Sequence, residues 1–126
     1  MKSGKYYVGD PCYIFGKSWH EVLEKTSYFE DGEGTLYGLA YSGGSTAYGD
    51  GCYRDNEGRS YAVDAGLLAC MPVALLKHDG KYTIKSIAKE KEMHVIEFPA
   101  DFECSVKDGV FKFGHITINT RNEDEE

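Results

Sequence analysis

Two short segments of this chain share residue types that often do chemistry. Gly9-Asp-Pro-Cys-Tyr13 and Gly49-Asp-Gly-Cys-Tyr53 agree at four of five positions and begin forty residues apart. An aspartate before Pro or Gly typically makes a turn in which its carboxylate accepts backbone N–H groups. The Cys and Tyr that follow are expected to begin a strand and to point to opposite faces of a sheet. Each copy thus presents a carboxylate, a thiol and a phenol, and adjacent copies would bring their carboxylates together.

Three interpretations of this repeat are open. In the structural one, two equivalent corners of a sheet use the same turn chemistry, and the thiols fill gaps in the core. In the metal one, Cys12, Cys52 and the two aspartates are ligands, although thiolate sites normally draw on more closely spaced residues. In the ligand-binding one, tyrosines supply contact area and hydroxyl groups around a pocket. The residues predicted to bind that ligand are Asp10, Tyr13, Tyr48, Asp50, Tyr53 and Asp64.

The sequence carries no familiar catalytic motif. Ser45 lacks the Gly-x-Ser-x-Gly context of a nucleophile elbow, and neither of the common glycine-rich nucleotide motifs occurs. The remaining enzymatic interpretation is a small hydrolase that uses Asp10, Asp50 and Asp64, with or without a divalent cation. We therefore predict a non-catalytic protein without a cofactor or a metal ion, and keep the hydrolase as an alternative.

Glycine-rich turns and short runs of β-forming residues predict the elements that position the repeat. Gly occurs 15 times, and several of these glycines follow Asp in pairs that favour tight hairpins. The sequence therefore predicts a mainly β protein, built as an antiparallel meander sheet or a partly closed barrel. Strands are predicted at 5–9, 35–41, 59–64, 67–71, 81–88, 92–98, 102–106 and 110–119.

One short helix is predicted near the start of the chain, at about 18–27. Ser18 and Glu21 have the spacing of a capping box, which satisfies two N–H groups at a helix start. Trp19 and Val22 then fall on one face of the helix. We expect this helix to cover one face or one opening of the sheet, with Trp19 as its anchor.

Two turns are predicted in the last third of the chain. Lys107-Asp-Gly109 separates two apolar runs and predicts a hairpin. Beyond it, the alternation of apolar residues changes phase between Phe113 and Ile116. A β-bulge at Gly114 would reconcile the two phases.

Composition restricts the domain organisation and the partners. The 126 residues carry a formal net charge of −7, and their number suits one domain. We assign 1–121 to a single β-rich domain and 122–126 to an acidic disordered tail. Without this tail the chain is only mildly acidic and is not basic, so we predict no nucleic-acid partner.

The longest apolar stretch, 65–76, is too short to span a membrane, and the first residues lack a secretion signal. We therefore expect a cytoplasmic protein, and the thiol or disulfide state of its four cysteines stays open.

These motifs resemble those of a loosely defined group of small proteins from bacteriophages, prophages and their bacterial hosts. The resemblance rests on Tyr7-Val-Gly-Asp-Pro-Cys-Tyr13, on Ser45-Thr-Ala-Tyr-Gly-Asp-Gly51 and on Tyr61-Ala-Val-Asp-Ala-Gly66. It covers roughly 5–75 and does not extend to 77–126. No activity is attached to that group, so the resemblance implies a phage-related origin and no particular chemistry.

The function predicted from the sequence is that of a phage-type accessory protein. Such a protein would bind a host protein or sequester a small ligand without catalysis, and a counter-defence role is one form of this function. Two alternatives stay open: the carboxylate- or metal-dependent hydrolase, and a structural module of the virion or its assembly. The oligomeric state and the identity of the partner do not follow from the sequence.

Overall fold

A computed structural model describes residues 1–79 and 81–121, which form ten strands and two short α-helices. The strands are β1 (Gly4–Gly9), β2 (Gly32–Leu36), β3 (Leu39–Ser45), β4 (Gly51–Arg54), β5 (Ser60–Val63), β6 (Leu67–Pro72), β7 (His94–Phe98), β8 (Cys104–Lys107), β9 (Val110–Phe113) and β10 (Ile116–Asn119). The helices are α1 (Trp19–Lys25) and α2 (Ile84–Ile87), with 3₁₀ helices at Pro11–Tyr13 and Val73–Lys77. The tail predicted at 122–126 lies outside the described residues, and the single-domain assignment stays a prediction.

The strands form three antiparallel sheets. Five strands pair in the order β2-β3-β6-β1-β7, three in the order β10-β9-β8, and β4 pairs with β5. The predicted mainly β, antiparallel architecture is confirmed, and the sheets stay open instead of closing into a barrel. Only the three-stranded sheet is a simple meander, because the central strands of the largest sheet come from distant parts of the chain.

Both faces of the largest sheet are buried, which makes it the middle layer of the molecule. On β1, Tyr7 belongs to one apolar core, while Tyr6 and Val8 belong to the other. On β6, Met71 and Cys70 divide between the two cores in the same way. This alternation follows from the period of two in a strand. The core around Tyr7 lies on the α1 side, and the core around Val8 lies on the side of the smaller sheets.

Helix α1 covers the sheet as predicted, but its start is built differently. Val22 is fully buried, and Trp19 stacks between Phe15 and Phe29 with ring centroids 6.4 and 6.2 Å away. The predicted capping box is wrong, because the Ser18 side chain makes no cap hydrogen bond. Its hydroxyl instead donates to a carboxylate oxygen of Asp79, 2.9 Å away, which ties the helix start to a distant loop.

The structure corrects three of the predicted strands, and one of these is the strand predicted at 110–119, which is divided into β9 and β10. The strand predicted at 35–41 is interrupted by a turn at Tyr37 and Gly38, both with positive φ, and this turn joins β2 to β3. The strand predicted at 81–88 is wrong, since this segment contains α2. Thr83 caps α2 in a reciprocal arrangement with Ser86, and this local capping prevails over the β-forming side chains.

The C-terminal turns show one confirmed prediction and one error. Asp108 and Gly109 have positive φ and join β8 to β9 in the predicted hairpin. The predicted bulge at Gly114 is wrong, because Phe113 pairs directly with Ile116 across a two-residue turn. The change of apolar phase therefore marks the end of one strand and the start of the next.

Strand β4 was not among the predicted strands. Within 1–79 and 81–121, no helix is both long and apolar enough to cross a membrane.

Candidate functional site

The turn Asp64–Gly66, which joins β5 to β6, is the place where the two copies of the repeat meet. The first copy reaches it through Asp10. One carboxylate oxygen of Asp10 accepts the backbone N–H groups of Asp64 and Ala65, at 2.9 and 2.7 Å, and the other accepts the N–H of Cys12 at 2.9 Å. Asp10 has no accessible surface. Its carboxylate is therefore fully engaged in holding the turn.

The second copy reaches the same turn from the other side. Gly51 pairs with Val63 at the open end of the β4–β5 hairpin, and Asp50 and Asp64 are the residues next to this pair along the chain. The N–H of Thr46 donates to the carbonyl of Gly66 at 2.9 Å, and a Cβ on Gly66 would lie 3.4 Å from the Cα of Gly49. The two copies are thus neighbours, and the turn Asp64–Gly66 lies between them.

The copies place the same residue types in opposite environments. In the first copy Asp10 is buried, and Cys12 and Tyr13 are half-buried in a 3₁₀ helix. The prediction that Cys and Tyr begin a strand is wrong here, because Pro11 starts that helix after the Asp10 cap. In the second copy the prediction is confirmed.

The second copy reverses the burial of the aspartate and of the tyrosine. Asp50 and Cys52 are exposed, and Tyr53 is buried in β4. The Tyr53 hydroxyl donates to the carbonyl oxygen of Gly49 at 2.9 Å, which holds the loop that carries Tyr48. Tyr48 itself is 58% exposed. Tyr53 is therefore a support of this loop, and Tyr48 is the tyrosine that it presents.

Burial and nearby carboxylates keep the phenol and the thiol of the first copy protonated. Burial, followed by the charge of Asp64, raises the pKa of Tyr13 to about 12, and the charge of Glu92 adds to this shift. Burial, followed by the charge of Asp10, raises the pKa of the Cys12 thiol to about 12. At neutral pH the Tyr13 hydroxyl is a neutral hydrogen-bond donor, and Cys12 is a poor nucleophile.

Glu92 completes the site from the segment before β7. The Cys52 thiol donates to its carboxylate at 3.4 Å. Burial, and then this hydrogen bond, raises the pKa of Cys52, while the charge of Arg54 lowers it. We call the exposed and half-exposed residues around the turn the corner surface. It consists of Tyr13, Tyr48, Asp50, Asp64 and Glu92.

The structure brings four of the six predicted ligand residues to the corner surface and gives the other two internal roles. Asp10 supports the turn, and Tyr53 supports the loop. Glu92 was missed, since it lies far from the repeat in sequence and no local pattern singles it out. The ligand-binding role of these residues stays a prediction.

The metal and hydrolase alternatives depend on which carboxylates and thiols lie together and are accessible. Among the residues described, no group of three or more His, Cys, Asp or Glu side chains could hold a metal ion. The hydrolase alternative requires Asp10 as an accessible carboxylate, whereas its oxygens face three backbone N–H groups. Asp50 and Asp64 are the two exposed carboxylates of that alternative.

Comparison of the chain with protein-family models, with curated proteins and with solved structures gives no match.

Proposed function

We propose that this protein is a non-catalytic binding protein and that its corner surface contacts a partner protein through cationic groups of the partner. One observation carries the proposal: Asp10 of the first copy binds the turn Asp64–Gly66, and the second copy pairs with β5 immediately before that turn. The two tyrosines and three carboxylates of the corner surface are exposed or half-exposed. Tyrosine provides a large contact area and a hydroxyl group at a low cost in conformational entropy, and it is enriched at binding hot spots.

The charges of the corner surface indicate the chemistry of the partner. Asp50, Asp64 and Glu92 are exposed carboxylates, and the whole chain carries a formal net charge of −7. Exposed carboxylates attract Lys and Arg side chains of a partner, which accelerates association and makes it sensitive to salt. The protonated Tyr13 hydroxyl adds a hydrogen-bond donor at neutral pH. This combination supports recognition of a basic protein segment.

The phage-type accessory role belongs to the same proposal. It adds that the partner is a host protein, and its support is the resemblance of the motifs described above. The virion module and the hydrolase stay predictions from the sequence.

Affinity capture from a lysate of the native host tests the proposal. The bait is the wild-type chain, and the variant combines Tyr48→Ala with Asp50→Asn. We expect a partner that binds the wild-type chain in stoichiometric amount and is depleted at least about tenfold on the variant, the loss of one hot-spot residue being worth about 1.4 kcal/mol or more. We also expect capture of this partner to weaken as salt is raised.

Tyr28→Ala is the matched control. Tyr28 is 64% exposed, similar to Tyr48, and lies outside the corner surface. This variant should capture the partner as the wild type does. Equal capture by the wild type and the double variant, or absence of any stoichiometric partner, would overturn the proposal.

A further inference from the structure

We propose that the cavity between the 3₁₀ helix Val73–Lys77 and α2 binds a small anionic amphiphile, namely a free single-chain carboxylate of the fatty-acid type. This inference goes beyond the proposed function. The cavity shares no residue with the corner surface, so the two proposals can fail separately.

The shape and lining of the cavity suit a short hydrocarbon chain. Its volume is about 480 Å³, within the range of about 300–1,000 Å³ typical of small-molecule sites. Val73, Leu76, Tyr82 and Ile84 line it with apolar surface. Val73, Leu76 and Tyr82 also pack against or belong to the α1-side core, so the floor of the cavity is anchored. Ile84 is 41% exposed, and its side chain adds to the apolar lining.

The charges of the lining indicate that the ligand is negatively charged. Lys77 and Lys85 line the cavity, and the lining includes no carboxylate. Lysine side chains can extend apolar stems along a hydrocarbon chain while the ammonium groups meet a carboxylate. The surrounding stretch 77–91 holds five lysines against two acidic residues, in a chain whose net charge is −7. This is a basic apolar site on an acidic protein, and it complements an anionic amphiphile.

A second cavity of nearly equal size serves as an internal control. It has a volume of about 470 Å³ and is lined by Met1, Lys2, Ala40, Asp101, Phe102 and Glu103. It also contains apolar surface, but the charges of its lining cancel. Two positive groups, Lys2 and the N-terminal ammonium of Met1, are matched by Asp101 and Glu103, and Lys2 lies 3.8 Å from Asp101. An anionic amphiphile should therefore prefer the Lys77 cavity, whose lining carries a net positive charge, to this neutral cavity, whereas a ligand attracted only by apolar surface would not discriminate.

Titration of the full chain with decanoate tests the proposal. Calorimetry gives the dissociation constant, and amide chemical-shift mapping by NMR gives the location. We expect saturable binding at one site, with a dissociation constant below about 1 mM. The largest shifts should fall in 73–77 and 82–85. Octanoate should bind more weakly, by about fourfold for each methylene group removed.

Matched probes and variants make the test specific. Decyltrimethylammonium carries the same chain with the opposite charge and should not bind at this cavity. Lys77→Gln combined with Lys85→Gln should weaken decanoate binding at least about tenfold, while Lys89→Gln, outside the lining, should leave it unchanged. Ala74→Phe, at an exposed position of the lining, should obstruct the cavity and abolish binding without disturbing the core.

Several outcomes would overturn the proposal. They are equal binding of the cationic probe, shifts centred on the neutral cavity, or no change in the double lysine variant. Binding to anionic vesicles without binding of monomeric decanoate would assign the patch to a membrane surface instead. Concentration-dependent self-association that Ala74→Phe removes would assign it to a second copy of this chain. Decanoate binding that survives Tyr48→Ala with Asp50→Asn is the expected result, because the two sites are separate.

Discussion

The two copies of the repeat teach that matching residues need not have matching roles. In the first copy the carboxylate of Asp10 is buried, and the phenol of Tyr13 is half-exposed. In the second copy the carboxylate of Asp50 is exposed, and the phenol of Tyr53 is buried. The residue after the aspartate separates the two cases. Pro11 leads into a 3₁₀ helix, whereas Gly51, with φ of 154°, leads into β4.

The inversion has a consequence for function. One corner uses its charge internally to fix the shared turn, and this fixed turn gives the other corner a rigid base. Binding surfaces gain affinity when their groups are held in place before the partner arrives. The first corner is therefore the support of the site, and the second corner is its exposed part.

The largest effect that separates the corners is on stability. Replacing Asp10 by Ala leaves three backbone N–H groups without their acceptor, and we expect the free energy of unfolding to fall by about 3 kcal/mol or more. Asp50→Ala should change it by less than about 0.5 kcal/mol, because Asp50 is exposed. Urea denaturation of both variants measures the difference. Equal losses of unfolding free energy in the two variants would contradict the different roles assigned to Asp10 and Asp50.

A third aspartate, Asp55, follows β4 at the turn of the β4–β5 hairpin and is another example of a buried carboxylate that accepts hydrogen bonds. Burial alone would raise its pKa, but hydrogen bonds from the Tyr61 hydroxyl and from Arg59 prevail and lower it from 3.8. Asp55→Asn should cost about 2 kcal/mol at pH 7 through these bonds.

The sign of the pH dependence follows from that lowered pKa. A carboxylate whose pKa is lower in the folded state stabilises the protein above its unfolded pKa, and this stability is lost as the pH falls. The contribution of Asp55 is therefore complete above about pH 5 and declines as the pH drops through 3.8 and below. Urea denaturation between pH 6 and pH 3 measures this, and Asp55→Asn should flatten the acid side of the profile. An unchanged acid side in the variant would contradict the assignment.

Thiol reactivity distinguishes the corners by a rate. Cys12 is half-buried with a pKa of about 12, whereas Cys52 is exposed. At pH 8 we expect iodoacetamide to alkylate Cys52 at least about tenfold faster than Cys12, because the thiolate is the reactive form. Peptide mass spectrometry over time gives both rates. The difference should vanish in 8 M urea, and faster reaction of Cys12 in the folded chain would reverse the proposed environments.

The smallest effect concerns the tyrosines. Tyr53→Phe removes a buried hydroxyl that donates to Gly49, and we expect a loss of about 1 kcal/mol in the free energy of unfolding. Tyr48→Phe should leave this free energy within about 0.5 kcal/mol of the wild type. Thermal or urea denaturation gives both values. A larger loss for Tyr48→Phe than for Tyr53→Phe would contradict the roles assigned to the two side chains.

Much of the fold could be predicted from the sequence because its turns are local. The pair Asp108-Gly109 predicts a tight hairpin, and both residues have the positive φ that such a turn requires. At 81–88, local signals conflicted: β-forming side chains indicated a strand, while Thr83 capped a helix. The order of the five-stranded sheet depends on long-range pairing, such as β1 with β6, which no local pattern encodes.

The site was only partly predictable for a similar reason. The repeat located both corners, and the Asx-turn chemistry anticipated that Asp10 would accept backbone N–H groups. Nothing in the repeat showed that these groups would belong to Asp64 and Ala65, more than fifty residues away. Glu92 is close to Cys52 only because of how the chain packs, so it had no signal in the sequence.

Amide hydrogen exchange at Asp64 and Ala65 tests most directly whether one corner supports the other. Both N–H groups donate to Asp10. We predict that NMR will show slow exchange at both amides in the wild type and in Asp50→Asn, and exchange at least about tenfold faster in Asp10→Ala, the loss of one hydrogen bond being worth roughly that factor. Unprotected amides in the wild type, or protection that persists without the Asp10 carboxylate, would contradict the account.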